Sequence, residues 1–470
     1  MATAAPALKQ VAVELDSGES ITLEEGHIDV PENRADENAR TISIGFRRVP
    51  ALAGTQGAPT FLLAGGPGSS YNQQLEDGGY LQEDKARLIR LFQPHGDVII
   101  VDLRGGYLST PHAECTGPRQ KWRVIKTQAQ FLDLWQASAA ACREKLLDEG
   151  FDLDGYTVLE AAADVLAVAD ALGYDQLGLF GISFGSHWAI TLARVAPTRI
   201  SHMIISGVEG LDETVDDPIA TTAALERIAG SARGAWNGAH GFDNPLQAAT
   251  GLIETPPRER PVSRGLTPYE LGTSLRGGLD YSLTKRRHMT DWPAEYAKLL
   301  KGAFFMTQAR RLLISWNIGK GWGPAALGTF DCTSWISDAR AERLRQGQQP
   351  FASDLATYEA YCRGWQITPL PAWFREPFQS PVRALFIHGN WDTATPIENA
   401  YAAFPNFPNA SLTVVERGSH AAFHEALVAD PQLAIAIGEW LEGGTAPPAT
   451  ITLPVPEFAR ATVGIPRERR

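Results

Sequence analysis

Between residues 8 and 50, apolar and polar positions alternate in three stretches, VAVEL, ITLEEGHIDV and TISIGFRRV. A period of two sets one face of each strand on a core and the other in water, so this region predicts an antiparallel sheet. Further along the pattern changes. Short runs with almost no polar interruption occur at PTFLLAG (59–65), DVIIVDL (97–103), QLGLFG (176–181), HMIISG (202–207) and VRALFIHG (382–389). Such runs suit strands buried on both faces. Helical periodicity separates them, most clearly over 158–172. There Thr157 and Glu160 form a capping box, apolar residues recur at Val158, Ala161, Val165 and Leu172, and Gly173 ends the helix. Strand alternating with helix predicts a doubly wound, mostly parallel α/β sheet.

From about residue 210 to 375 the alternation lapses into largely helical sequence punctuated by Gly and Pro. Seven of the twelve tryptophans fall there: Trp236, Trp292, Trp316, Trp322, Trp335, Trp365 and Trp373. They could line an apolar pocket, but filling the segment's own core is the commoner use. The expected organisation is a core in two parts, 1–209 and 376–445, with a helical cap inserted at 210–375. Residues 446–470, rich in Pro and Thr and ending in RERR, read as an extended surface strap.

One strand leads straight into chemistry. QLGLFG runs into Gly181-Ile182-Ser183-Phe184-Gly185, followed by a helix-like stretch that Pro197 stops. A G-x-S-x-G between strand and helix is a nucleophile elbow, a sharp turn that leaves the serine hydroxyl exposed. A serine hydroxyl needs a base, and here acid and base follow in the order Ser, Asp, His. Asp392 lies just past the VRALFIHG strand, and His420 lies just past SLTVVERG, 28 residues later. His420 would act as general base and Asp392 would hold its tautomer. His424, one helical turn beyond His420, and Glu209, which follows the HMIISG strand, are the competing base and acid. For the oxyanion, the N–H of Phe184 and that of Gly66 are the expected donors, with Gly68 second; Pro67 has no N–H to give.

Composition narrows the alternatives. A net charge of −12 argues against nucleic acid or an anionic membrane as partner, and no apolar stretch is long enough to span a bilayer. There is no C-x-x-C pair, no phosphate loop, and no general-base Glu to make His420 and His424 a zinc site, so neither metal nor cofactor is expected. Cys115 and Cys142, and Cys332 and Cys362, form local pairs that suit two disulfides, with four free thiols of a cytosolic enzyme as the alternative. MATAAPALKQ lacks the regions of a signal peptide and would suit a mature N-terminus with an added Met.

The ordered set VPENR (30–34), GGPG (65–68), DLRGGYLS (102–109), GISFG (181–185), GNWDTATP (389–396) and GSH (418–420) resembles the prolyl and tripeptidyl aminopeptidase family of α/β-hydrolases. The resemblance runs from roughly residue 25 to 440 and extends to the cysteine pairs of its secreted tripeptidyl branch. It implies an α/β-hydrolase fold, a serine hydrolase with Ser183, Asp392 and His420 as triad, and a secreted or periplasmic location, with a cytoplasmic one as the alternative. It further implies that Asp102 and Arg104 form an ion pair bracing the loop near the site. Two departures, Ala64 for a usual His and Tyr107 for a usual Gly, fall near the oxyanion loop and could reshape the pocket there. An aminopeptidase must hold a free α-ammonium, and Glu209, Asp212, Glu213, Asp216 and Asp217 offer carboxylates for it; a solvated acidic loop is the plainer reading. The expected activity is release of short N-terminal peptides or a residue, with an esterase or amidase for a bulky apolar small molecule as the alternative.

Overall fold

The computed structural model describes residues 6–115, 125–254, 283–300, 326–347 and 355–461. Ten strands form one sheet: β1 (Lys9–Glu14), β2 (Ser20–Pro31), β3 (Thr41–Val49), β4 (Thr60–Leu63), β5 (Val98–Val101), β6 (Leu177–Ser183), β7 (Ile200–Val208), β8 (Arg383–Gly389), β9 (Ala410–Glu416) and β10 (Thr450–Thr452). Their order across the sheet is β1-β2-β3-β5-β4-β6-β7-β8-β9-β10. The alternating N-terminal stretches become the antiparallel end, with β3 antiparallel to β5. From β5 onward the pairing is parallel.

The apolar runs are buried on both faces because their side chains alternate between two cores. Phe61, Leu63, Ile99 and Val101 face one hydrophobic cluster, built with Val158, Val165 and Trp188 of the helices Val158–Ala171 and Phe184–Val195. Leu62, Ile100 and Phe180 face the other, with Leu88, Phe92, Phe423 and Ile437 from helices on the opposite side. The period of two survives inside a continuous apolar run as a choice between cores rather than between core and water.

The helix over 158–171 is capped as its sequence predicts: Thr157 Oγ1 accepts the Glu160 N–H at 3.2 Å. The reciprocal half of the box goes elsewhere. Glu160 Oε1 accepts the Arg34 N–H at 3.1 Å and its other oxygen pairs with the Arg34 guanidinium. The side chain is drawn into an ion cluster instead of back onto its own helix.

Between β7 and β8 every described element is helical. Trp236 and Trp292 are buried in a cluster that includes Trp391, beside Asp392, and Phe458 of the C-terminal segment. Trp365 fills a second cluster with Trp135, Tyr361 and the paired cysteines. Trp335 is half-buried and Trp373 exposed, while Trp316 and Trp322 lie outside the described residues. Both cysteine pairs are disulfides, Cys115–Cys142 and Cys332–Cys362. The C-terminal segment is more than a strap: Thr450–Thr452 adds a parallel strand beside β9, and Leu453 and Phe458 are buried. Backbone bonds from Ala459 to Thr290 and from Ala461 to Ala235 then tie it to the helical segment. The terminal RERR lies outside the described residues. No helix among the described residues is long and apolar enough to cross a membrane.

Candidate active site

The elbow is built by contacts too close for any side chain. A Cβ on Gly181 would stand 2.1 Å from the Gly185 carbonyl oxygen, and one on Gly185 would stand 2.2 Å from that of Leu63. The two glycines let the turn fold on itself and let the helix start press against the loop after β4. Between them Ser183 takes φ 61 and ψ −133, a left-handed-side conformation that costs a non-glycine residue about 1–3 kcal/mol. Ser186 Oγ donates to the Ser183 carbonyl at 2.6 Å and accepts the Glu209 N–H at 2.8 Å. The turn is thereby tied to the end of β7.

Asp392 and His420 arrive from β8 and β9. Asp392 is fully buried and its carboxylate meets His420 Nδ1 at 2.9 and 3.1 Å. The N–H groups of Ala394 and Thr395 donate to Asp392 Oδ1 at 2.9 and 3.0 Å, and Thr395 Oγ1 donates to Oδ2 at 2.9 Å. Burial by itself would push this carboxyl up. The adjacent His420 and its hydrogen bond, with His388 and the Thr395 N–H, outweigh burial and hold it below its ordinary value. A carboxylate fixed at Nδ1 leaves Nε2 as the basic nitrogen. The His420 ring lies over Gly207: a Cβ there would be 2.9 Å from His420 Cε1 and 3.4 Å from Ile182 Cγ2. The ring thus stands beside the residue preceding Ser183, at the same sheet edge.

His388 supports the acid from below. It is fully buried, accepts the Val208 N–H on Nδ1 at 3.1 Å and donates from Nε2 to the Thr395 carbonyl at 2.9 Å. Burial pushes its pKa down, against the pull of Asp392 and the Thr395 bond.

The loop after β4 faces the elbow. A Cβ on Gly65 would lie 3.6 Å from Ser183 Oγ and 2.9 Å from the Ile182 carbonyl. Gly66, with φ 120, follows. Phe184 is the first residue of its helix, so its N–H has no carbonyl one turn back to bind. Asp102 steadies the loop from behind: its carboxylate accepts Ser70 Oγ at 2.7 Å and the Leu108 N–H at 2.9 Å. Burial pushes it up to about 6 against those bonds.

The expected Asp102–Arg104 ion pair does not form. Arg104 turns the other way, fully buried, donating to Asp164 at 2.7 and 2.8 Å and to the carbonyls of Glu32 and Gly155 at 2.5 Å. β5 ends at Val101 and the chain then turns, with the Gly106 N–H donating to the Leu103 carbonyl at 2.9 Å, so Asp102 meets the loop after β4 while Arg104 joins the packing of β2 against the helix Val158–Ala171. Tyr107 bonds Glu76, itself paired with Arg47, in a half-exposed cluster. Ala64 is buried in the core cluster on the helix 79–92 side of the sheet.

Of the acids after β7, most are engaged. Asp212 accepts both the N–H and the hydroxyl of Ser337 at 2.5 and 2.7 Å, Glu213 meets Arg340 at 3.5 Å, and Asp217 caps the next helix at Ile219 N. Glu209 differs. Its side chain is 12% exposed, and burial together with the charges of Asp331, Asp216 and Glu213 raises its pKa well above the ordinary value. Asp331, in the helix Ala326–Ser334, is likewise pushed well up by burial. Asp331 carries no sequence signal; only the packing of its helix on Phe184–Val195, through the Phe184–Phe330 ring contact at 5.6 Å, brings it there. Among the described residues no group of three or more His, Cys, Asp or Glu side chains is arranged to hold a metal.

Residues 60–252, which include Ser183, match the family model described as alpha/beta hydrolase fold. Residues 348–449, which include Asp392 and His420, match the model described as TAP-like protein. No curated protein matches the sequence. Among solved structures, an alpha/beta hydrolase enzyme from a Medee basin deep-sea metagenome library is 14% identical, with 87% of this chain and 96% of that one covered and a TM-score of 0.37. A thermophilic esterase from Thermogutta terrifontis is 14% identical, covering 93% and 98%, with a TM-score of 0.35. An epoxide hydrolase from Vigna radiata is 14% identical, covering 93% and 98%, with a TM-score of 0.36. With both stretches of its core matched, the chain belongs to the α/β-hydrolases and carries a TAP-like C-terminal region.

Proposed function

We propose that this hydrolase is a serine aminopeptidase that releases short N-terminal peptides or a residue through an acyl-enzyme on Ser183. His420 Nε2 takes the Ser183 proton as the hydroxyl attacks the scissile carbonyl, and later returns it to the leaving amine. Asp392 holds the imidazole and stabilises its protonated form. The N–H groups of Phe184 and Gly66 receive the oxyanion. Water then repeats the sequence on the ester.

The observation that carries the peptidase reading is the acidic pair Glu209 and Asp331, both held well above their ordinary values by burial, with Asp331 adding to the rise of Glu209. A cation brought against buried acids favours their charged form, and the α-ammonium of a peptide supplies one with three donors. Glu209 is wired through Ser186 to the Ser183 backbone, so a bound ammonium would sit at a fixed offset from the nucleophile. A bulky apolar group seated against the same pair would desolvate it without supplying a partner. The disulfides favour an oxidising compartment, and we place the protein outside the cytoplasm on that ground.

The test is a hydrolysis panel of free and N-acylated peptide anilides beside p-nitrophenyl esters, with Ser183→Ala as control. Free peptides should be cleaved at least about 100-fold faster than acylated ones, in keeping with loss of a buried charge-assisted contact worth about 3 kcal/mol. Equal rates would remove the aminopeptidase reading in favour of an esterase or amidase. Activity surviving Ser183→Ala would remove the mechanism.

A further inference from the structure

His187 lies one helical turn beyond Ser183, fully buried, and the triad does not use it. Its two ring nitrogens reach opposite sides of the acidic pair. Nδ1 donates to the carbonyl of Gly210, the residue after Glu209, at 2.9 Å. Nε2 accepts the hydroxyl of Ser334 at 3.0 Å, and Ser334 stands one turn past Asp331 in the same helix. Two rings pack on it: Phe184 stacks at 5.6 Å between centroids and Phe374 lies tilted at 5.7 Å.

We propose that His187 is a positioning residue that sets the spacing of Glu209 and Asp331, and through them the affinity for a free α-ammonium. The inference rests on the aminopeptidase reading above. A single rigid imidazole bridges the strand end that carries one carboxylate and the helix that carries the other. If the Ser334 link is lost, the helix Ala326–Ser334 keeps its packing through Phe330, its disulfide at Cys332 and the Ser337–Asp212 bonds beyond its end, yet loses the hydrogen bond that ties its last turn to the residue after Glu209. The bridge must also be neutral. Nδ1 is 3.9 Å from Glu209 Oε1, and a charged ring there would supply the cation that the substrate is meant to bring. Burial holds His187 down at about 4 against the Gly210 bond, so the ring is uncharged at neutral pH.

The test compares Ser334→Ala, His187→Asn and the double variant. Asn keeps a donor near the Nδ1 position for Gly210 and has no acceptor where Nε2 stood, so both single variants break the same link. Each should raise KM for a free peptide anilide about 3- to 10-fold, as expected for loss of one neutral hydrogen bond, with kcat within about 2-fold. The double variant should be no worse than the singles, because one link cannot be lost twice. Thermal melts identify a variant that has failed to fold, and Ser334→Ala, which only deletes an oxygen, then decides alone. Additive effects, equal losses on free and acylated substrates, or an unchanged KM in Ser334→Ala would overturn the proposal while leaving the aminopeptidase reading intact. A wild-type enzyme that does not prefer the free amine would overturn both.

Discussion

Gly207 shows how little room the site leaves. With φ 52 and the His420 ring against its Cα, it is the floor on which the imidazole rests. Gly207→Ala adds a methyl 2.9 Å from Cε1 and forces an L side chain into a left-handed conformation. The ring must tilt away from Asp392 or from the elbow. We expect kcat to fall by about 100-fold or more, in line with the loss from misplacing a catalytic group by about 1 Å. KM for the free peptide should change little, since Glu209 and Asp331 are untouched. Wild-type kcat in the Gly207→Ala variant would show that the ring does not use this floor during turnover. His388 belongs to the same scale: its ring, between the Val208 N–H and the Thr395 carbonyl, fixes the loop that carries Asp392.

Among elements, the helix Ala326–Ser334 matters most for what the site selects. It is nine residues long and too short to be stable alone, so its position is imposed from outside. Phe330 packs on Phe184, Ser334 bonds His187, and Cys332 is bonded to Cys362 in the helix Leu355–Trp365. That second helix is held in turn against Gln128–Asp148, where a Cβ on Gly364 would meet the Gln136 carbonyl at 2.3 Å. The disulfide closes a 30-residue separation, and breaking it returns loop entropy worth roughly 3 kcal/mol to the unfolded chain. Reduction should lower the urea midpoint and should raise KM for free peptides more than for esters, because Asp331 neighbours Cys332. Mass spectrometry that finds two added protons per reduced pair, together with an unmoved midpoint, would show that packing alone holds the helix.

Across the whole molecule, buried charge gives stability a pH dependence that the net charge of −12 does not reveal. Lys85, buried with its ammonium 4.3 Å from the Tyr71 ring centre, is lowered from 10.5 to about 8, mainly by burial. Its folded value lies below its unfolded one, so between pH 8 and 10.5 the unfolded chain binds the extra proton and stability rises with pH. Below pH 8 the full penalty, roughly 3 kcal/mol, is present. Lys85→Met should therefore be more stable than the wild type at pH 7, with the gap narrowing toward pH 10. Urea midpoints at both pH values measure it; a gap independent of pH would show that Lys85 keeps its proton when folded.

The elbow, the Asp and His after their strands, the capped helix at 158–171 and the two-faced burial of the sheet were all legible in the chain. Each is a local matter, since a strand period, a turn residue or a cap depends on neighbours within a few positions. Contacts between segments far apart were not. Nothing near Asp331 marks it as a partner of Glu209, 122 residues earlier, because burial beside a like charge exists only after two helices pack. The same limit explains Arg104. A D-x-R pattern suggests a pair, yet the turn that follows β5 breaks the extended register and sends the two side chains apart, to Ser70 and to Asp164. Local sequence determined the elbow serine and the Asp and His that follow their strands; what surrounds them, Glu209 and Asp331 included, was decided by tertiary packing, which alone sets the distances between side chains on different elements.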